Sequence, residues 1–518
     1  MRYVVGVDVG TGSARAGLFD ETGRIHRAAS RPIPIHRPKA EWAEQSSDAI
    51  WQAVCEAVRD CVATAEIAPE QVAGISYSAT CSLVLLDTNG APLRLSEGPE
   101  GWNIIVWMDH RAIAEAEEIT RSGSPVLDNV GGTMSPEMEI PKLMWLKRHR
   151  PGLWAQLGFA GDLADYLTYR SSGSLDRSVC TLGCKWTYDP DAGAWNTKFL
   201  ADMGLADLLA KGRLPDQAVP VGSPLGPLSA EAAEDLGLTT DCRVAAGLID
   251  AHAGALGTIG LFVDDRIESR MALIAGTSNC HIGLSRSRRE VPGVWGPYGG
   301  AVVDGMWCTE GGQSATGALL DHLVDLMAPD DVKAGPLDAL SDALKQRADA
   351  LPDFAGVVDV IPDFIGNRAP FADAELRGSI SGLTIEAPEE TFAKTYWAAA
   401  AGIAYGTRLI IEQMNRHGYA IDTIHLSGGH RKSALLIDLY ADATGCDVVL
   451  SEAEEPVLLG AAIAALCQFE ESDAVSRVTA RMVRDVEVRY PRQQHMELHE
   501  ARYRRFLKHY SDKGYRLR

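Results

Sequence analysis

Two short stretches, Asp8-Val-Gly-Thr11-Gly12-Ser13-Ala-Arg15 and Gly276-Thr277-Ser278-Asn279, set glycine, threonine and serine side by side directly after an apolar run. Placing Gly10, Thr11, Gly17 and Leu18 beside Gly276, Thr277, Gly283 and Leu284 brings four identities into register without a gap. A turn of this composition aims backbone N–H groups and hydroxyls at an anion, because glycine lets the backbone approach closely. Two such turns on two similar halves would face one polyphosphate; the alternative is ordinary hairpin chemistry in each. Asp8 sits in the first apolar run, where a carboxylate is costly unless it meets donors or a cation, and a metal ion on the phosphates is one such partner. Neither turn is a Walker loop, for no Gly-Lys-Ser or Gly-Lys-Thr follows, and neither has the dinucleotide spacing.

Further chemistry-bearing residues are scattered along the chain. Asp250 closes the apolar run from Val244 and is followed by His252 in a small-residue helix. An acid at the carboxyl end of a strand is placed for catalysis in an α/β sheet, and also for capping a helix. Thr80 and Ser82 lie in a small polar loop between two strands. Trp107, Asp109 and Arg111 pack an indole, an acid and a base into one segment, which reads either as a surface ion pair or as a sugar site. Lys185, between Cys184 and Trp186, is either a snorkelling surface residue or a contact to a substrate hydroxyl. Glu310, Gln313 and Gly317 fall in a polar, glycine-rich loop running into a helix whose N-terminus would accept an oxyanion. Gly428, Gly429 and His430 form a turn before a helix starting at Ser433, flat enough for a planar ring such as adenine.

Elements to hold these residues are legible. The first hairpin is followed by a third strand over 24–35, a helix over 43–65 and strands at 72–77 and 83–86. Residues 136–170 carry a helical rhythm, 391–416 reads as one long helix, and 422–425 as a strand. Strands and helices in this order predict an α/β fold with mixed sheets. A length of 518 residues exceeds one core. The expected division is 1–262, with the sugar site and first phosphate turn, 263–475, with the second turn and the adenosine site, and a helical tail over 476–518. A net charge of −21 argues against general affinity for nucleic acid or anionic membrane. The ten cysteines are scattered, and the nearest pair, Cys180 and Cys184, lacks zinc-ribbon or redox spacing, so reduced thiols and a cytoplasmic location are expected. The long apolar stretches carry Asp250, His252 and Arg408 and read as core.

Taken together and in order, these motifs resemble the FGGY carbohydrate kinases of the actin-like, ribonuclease H-like ATPase superfamily, over residues 4–466. The resemblance implies two actin-like domains with ATP in the cleft between them and Mg2+ on its phosphates. Thr11, Gly12, Ser13 and Arg15 are similar to the first phosphate loop, and Gly276, Thr277 and Ser278 to the second. Gln313, Gly317, Gly428, Gly429, His430 and Ser433 are expected on the nucleotide side, and Asp8 and Asp250 near the metal. Asp250 matches the family's general base. The segments around Thr80 and Ser82, Trp107 and Asp109, and Lys185 look most like the D-ribulokinase branch, and residues matching Lys185, Asp250 and Glu310 contact sugar in the L-ribulokinase type; His252 joins them. Asn367 stands where many relatives carry an acid. The expected activity is phosphorylation of D-ribulose to the 5-phosphate, with L-ribulose, D-xylulose or ribitol as alternative acceptors and a non-catalytic sugar or nucleotide sensor as the alternative of another class. The family's frequent homodimers point to a homodimer here.

Overall fold

The computed structural model describes residues 2–259, 266–451, 453–471 and 473–517. The expected boundary at 262 and 263 lies outside the described residues. On either side of it stands a mixed sheet built to one plan. In the first, the strand Tyr3–Val9 pairs antiparallel with Ser13–Asp20 and parallel with Val72–Ala79, and the full order is Pro224–Pro227, Arg243–Ile249, Val72–Ala79, Tyr3–Val9, Ser13–Asp20, Ile25–Pro32. In the second, Arg270–Ala275 pairs antiparallel with Asn279–Ser285 and parallel with Thr423–Ser427, which is followed outward by Asp447–Ser451. The sequence repeat is therefore a structural repeat. Its hairpins differ by one residue: Val9 faces Ala14, whereas Ala275 faces Asn279, so the second turn is the tighter.

Tyr3–Val9 is buried throughout and Arg270–Ala275 at every position but Ile274, which is why both read as mainly apolar runs. Each half ends its parallel strands with a helix, Asp250–Ile259 after Arg243–Ile249 and Pro456–Cys467 after Asp447–Ser451. These two helices pack along one another, and each also lies on the opposite half's sheet: Asp250–Ile259 on Arg270–Ala275, Pro456–Cys467 on Tyr3–Val9. Small residues allow this approach. A β-carbon on Gly257 would run into the Pro456 carbonyl, and one on Gly460 into that of Ala253. Asp250, the first residue of one of these two helices, therefore sits at the joint between the halves.

Three expectations change. Within 136–170, Leu157–Asp162 is a strand paired with Leu83–Asp87 in a small separate sheet, because it is buried on both faces and shows no alternation. Trp307–Gln313, expected as a loop, is a strand between Asn279–Ser285 and Trp295–Gly299, and its glycines let neighbouring side chains close over the backbone. The tail is more than helical, for Asp485–Arg489 adds an edge strand to the second sheet before the helix Met496–Asp512 docks through buried Arg502 onto Asp353 and the Gly356 and Val358 carbonyls. Among the described residues no helix is long and apolar enough to cross a membrane.

Candidate active site

The first turn leaves Gly12 exposed with open space around its α-carbon, flanked by partly buried Thr11 and Ser13. Thr11 is held from behind: its hydroxyl accepts the Trp107 indole N–H at 3.0 Å and its carbonyl the Gln45 amide at 2.8 Å. Asp8 and Arg15 are direct partners across the hairpin. The guanidinium binds Asp8 Oδ2 at 2.5 and 3.1 Å and reaches across to Glu455 of the other half at 2.8 Å. Asp8, 2% exposed, thus has a cationic partner within the chain.

The second turn leans on the helix Gly317–Met327. The Gly276 carbonyl accepts the Gly317 N–H at 2.9 Å, and the Thr277 carbonyl accepts those of Thr316 and Ala318 at 3.1 and 3.2 Å. The first-turn amides of that helix are therefore spent on positioning the turn, which corrects the expectation that this N-terminus meets an oxyanion. Thr277 and Ser278 remain open toward solvent.

Near Asp8, Asp250 begins its helix and accepts the Ala251 N–H at 2.7 Å with one carboxylate oxygen. Burial, then the neighbouring charge of Asp8, pushes its carboxyl up to about 6. Beyond it lies a buried polar cluster drawn from both halves. Glu310 Oε2 is 3.4 Å from His252 Nε2 and 4.0 Å from Lys185 Nζ, and Lys185 stands 4.3 Å over the Trp295 ring. Burial alone would raise the Glu310 carboxyl, but Lys185, His252 and Arg368 outweigh it and hold it at about 2.

Arg368 closes the cluster, lying over the Trp295 and Trp107 rings at 5.2 and 5.8 Å and pairing with Glu137 at 3.4 Å. Arg368, Trp295 and Glu137 escaped sequence reasoning. The usable signal was the Ile365-Gly-Asn-Arg-Ala-Pro segment, where Asn367 drew the attention. Asn367 instead shapes that loop, donating to Asp363 and accepting the Phe371 N–H, both at 3.0 Å. Thr80 and Ser82 hydroxyls are 3.0 Å apart, and Ser82 Oγ accepts the Trp107 backbone N–H at 3.1 Å, so they anchor the main chain that carries the indole. Asp109 is fully buried, with both oxygens taken by the Ala43 amide and by Arg111, which also binds Glu44. No acceptor of Asp109 is left for a sugar hydroxyl, and its task is to hold the 107–111 segment.

On the surface expected to take the nucleotide, Gly428 adopts a left-handed φ of 82° against the Ala275 carbonyl, and Gly429 is exposed with open space beside it. Ser433 caps the next helix through the Leu436 N–H. His430 and Gln313 lie behind this surface in one buried network: His430 Nδ1 to the Tyr440 hydroxyl at 2.9 Å, Tyr440 to Asn279, and Asn279 to Gln313, which also binds Thr407 and the Ile403 carbonyl. Both therefore brace the second turn from within.

Paired hairpins, a helix joint carrying an acid, and a buried polar cluster to one side define a two-domain α/β kinase fold. Profiles of the N-terminal and C-terminal domains of the FGGY family of carbohydrate kinases match residues 3–257 and 271–469. The chain belongs to that family and is an ATP-dependent carbohydrate kinase. It is 42% identical to an FGGY carbohydrate kinase domain-containing protein of Homo sapiens over 98% of this chain and 96% of that one. It is 37% identical to a D-ribulokinase of Saccharomyces cerevisiae over 91% of this chain and 72% of that one. A xylulose kinase from Rhodospirillum rubrum superposes with a TM-score of 0.83 at 24% identity, covering 99% of each chain.

Proposed function

We propose that this kinase phosphorylates a pentulose, with D-ribulose preferred and the 5-phosphate as product, and that Asp250 is the general base. The observation that carries the reading is the position of Asp250, between the Asp8–Arg15 pair below the first phosphate turn and the Lys185–Glu310–His252 cluster. Phosphoryl transfer to a hydroxyl asks mainly for positioning, charge neutralisation and a proton acceptor. A carboxylate raised toward neutrality suits that last task, because a base works best with a pKa near the working pH. Glu310, held ionised, accepts hydroxyl hydrogens. Lys185 and Arg368 donate to carbonyl or hydroxyl oxygens, and the Trp107 and Trp295 faces take the C–H surface of the sugar. The two glycine turns hold the phosphates of ATP from opposite sides.

Asp8 and Asp250 fit Mg2+, which binds through one or two carboxylates and keeps several waters. Among the described residues Asp8 Oδ1 meets only the Ser78 hydroxyl, at 3.3 Å, and Asp250 gives one oxygen to its own helix, so hard donors remain. Bound there, the metal would neutralise phosphate charge. The similarity to a D-ribulokinase supports the choice of sugar. A panel of D-ribulose, L-ribulose, D-xylulose and ribitol with coupled detection of ADP tests it. The highest kcat/KM is expected with D-ribulose; turnover led by another acceptor would reassign the substrate, and binding without ADP release would point to a sensor.

A further inference from the structure

The seven-residue helix Val179–Lys185 carries Cys180 and Cys184 one turn apart, on the face turned toward His252. Their sulfurs lie 3.1 and 3.9 Å from one and the same ring nitrogen, Nδ1. All three residues are buried, and their candidate ligand atoms fall within 4.8 Å of one another. Around a tetrahedral zinc ion, bonds of about 2.3 Å to sulfur and about 2.0–2.1 Å to nitrogen set sulfur and nitrogen roughly 3.5 Å apart. The two observed separations bracket that spacing without any rearrangement of the backbone.

A second observation bears on the same ring. A metal-ligating histidine nearly always gives its other N–H to a carboxylate or carbonyl, which fixes the tautomer and strengthens the ligand. Here Nε2 faces Glu310 Oε2 at 3.4 Å, while Nδ1 faces the thiols. Cys180 Sγ also accepts the Ile249 N–H at 3.4 Å, a contact that stabilises a thiolate. Cys308 lies on the opposite side of the ring, 3.8 Å from Nε2, and does not belong to the set.

We propose that Cys180, Cys184 and His252 form a binding site for a soft, thiolate-preferring cation of the zinc class, directly behind the polar wall of the sugar cleft. Two sulfurs and an imidazole select such an ion over Mg2+ or Ca2+, which take oxygen ligands. Binding forms two metal–sulfur bonds and one metal–nitrogen bond and releases the two thiol protons to solvent. The three protein ligands leave a fourth coordination position. Occupancy fixes His252 with its Nε2–H directed at Glu310, and through it ties the metal to the group that pairs with Lys185. The site stands whether or not D-ribulose is the acceptor.

The test uses the full-length chain, reduced, stripped with a chelator and titrated with Co2+ and then Zn2+. About one equivalent of Co2+ is expected to give an intense thiolate-to-metal charge-transfer band that Zn2+ bleaches. X-ray absorption of the zinc form should show two sulfurs at about 2.3 Å and one histidine nitrogen at about 2.0 Å. Cys180→Ser and Cys184→Ser should each weaken binding at least ~10-fold, since even the outer partners of such sites are worth that much. A wild-type protein without the band, a zinc environment of oxygen and nitrogen alone, or a band that survives both substitutions overturns the proposal. If the variants fail to fold, the wild-type band and sulfur count decide.

Discussion

Lys185 Nζ stands 4.0 Å from Glu310 Oε2, and the two residues come from opposite halves of the chain. The ion pair therefore exists only when the cleft is assembled. Both members are buried, so removing Lys185 takes away the strongest of the charges that hold Glu310 ionised and leaves it to His252 and Arg368, while removing Glu310 strips Lys185 of its carboxylate partner. Lys185→Met and Glu310→Gln are each expected to raise the KM for sugar at least ~10-fold, about 1.4 kcal/mol of binding. The KM for ATP should change far less. Steady-state kinetics with each substrate varied in turn checks this, and equal effects on both would argue for a general loss of structure.

Arg15 makes another link between the halves, from Asp8 to Glu455. Arg15→Met leaves Asp8 buried without its cation. On the proposed reading, in which Arg15 lies beside the reacting phosphate, the expected outcome is a fall in kcat of roughly 10-fold or more, the worth of a charge positioned there. Arg15→Lys should restore only part of it, because one ammonium cannot reproduce the forked contact. Glu455→Gln, at a partly exposed end of the link, should be milder.

Gly257 and Gly460 let the two joint helices touch backbone to backbone. Adding a methyl at either forces the helices apart, at a cost of about 1–3 kcal/mol for overpacking. Gly257→Ala should lower the thermal midpoint and, because Asp250 opens the same helix, also lower kcat. Thermal melts together with initial rates distinguish this from a substitution felt only in the melt.

The central motifs were legible because they are local. Gly10, Thr11, Gly17 and Leu18 recur as Gly276, Thr277, Gly283 and Leu284, and the two hairpins that carry them have matching strand neighbours in space. Asp250 stood out as a lone acid closing an apolar run. What sequence could not provide was pairing across long separations. Arg368 meets Trp107 and Glu137 only after the halves close on each other, so no spacing announced it. Asp109 looked like a ligand because its neighbours are Trp107 and Arg111, yet burial commits its oxygens to Ala43 and Arg111. The Trp307–Gln313 strand was hidden by its glycines, which read as loop. Cys180 and Cys184 have the wrong spacing for a sequence-level metal motif, and His252 joins them from 68 or more residues away.

Protonation separates activity from stability. The Asp250 carboxyl is raised to about 6, so its basic form is lost as pH falls through that value, and kcat/KM should decline tenfold per pH unit below it. Glu310 is depressed to about 2 from 4.5. A depressed carboxyl contributes stability present above 4.5 and lost as pH falls from there toward 2. Asp250 has the opposite sign and favours the fold slightly more once protonated. Activity should thus fade near pH 6 while the Glu310 contribution to stability is still intact, which paired rate and denaturation profiles will show.

The most direct measurement is the turnover of Asp250→Asn with ATP and D-ribulose, alongside a circular dichroism melt of the same sample. The account predicts a loss of at least ~10²-fold in kcat with the melt preserved, because the amide keeps the shape but cannot accept the hydroxyl proton. Near-normal turnover in a folded Asp250→Asn protein would contradict it.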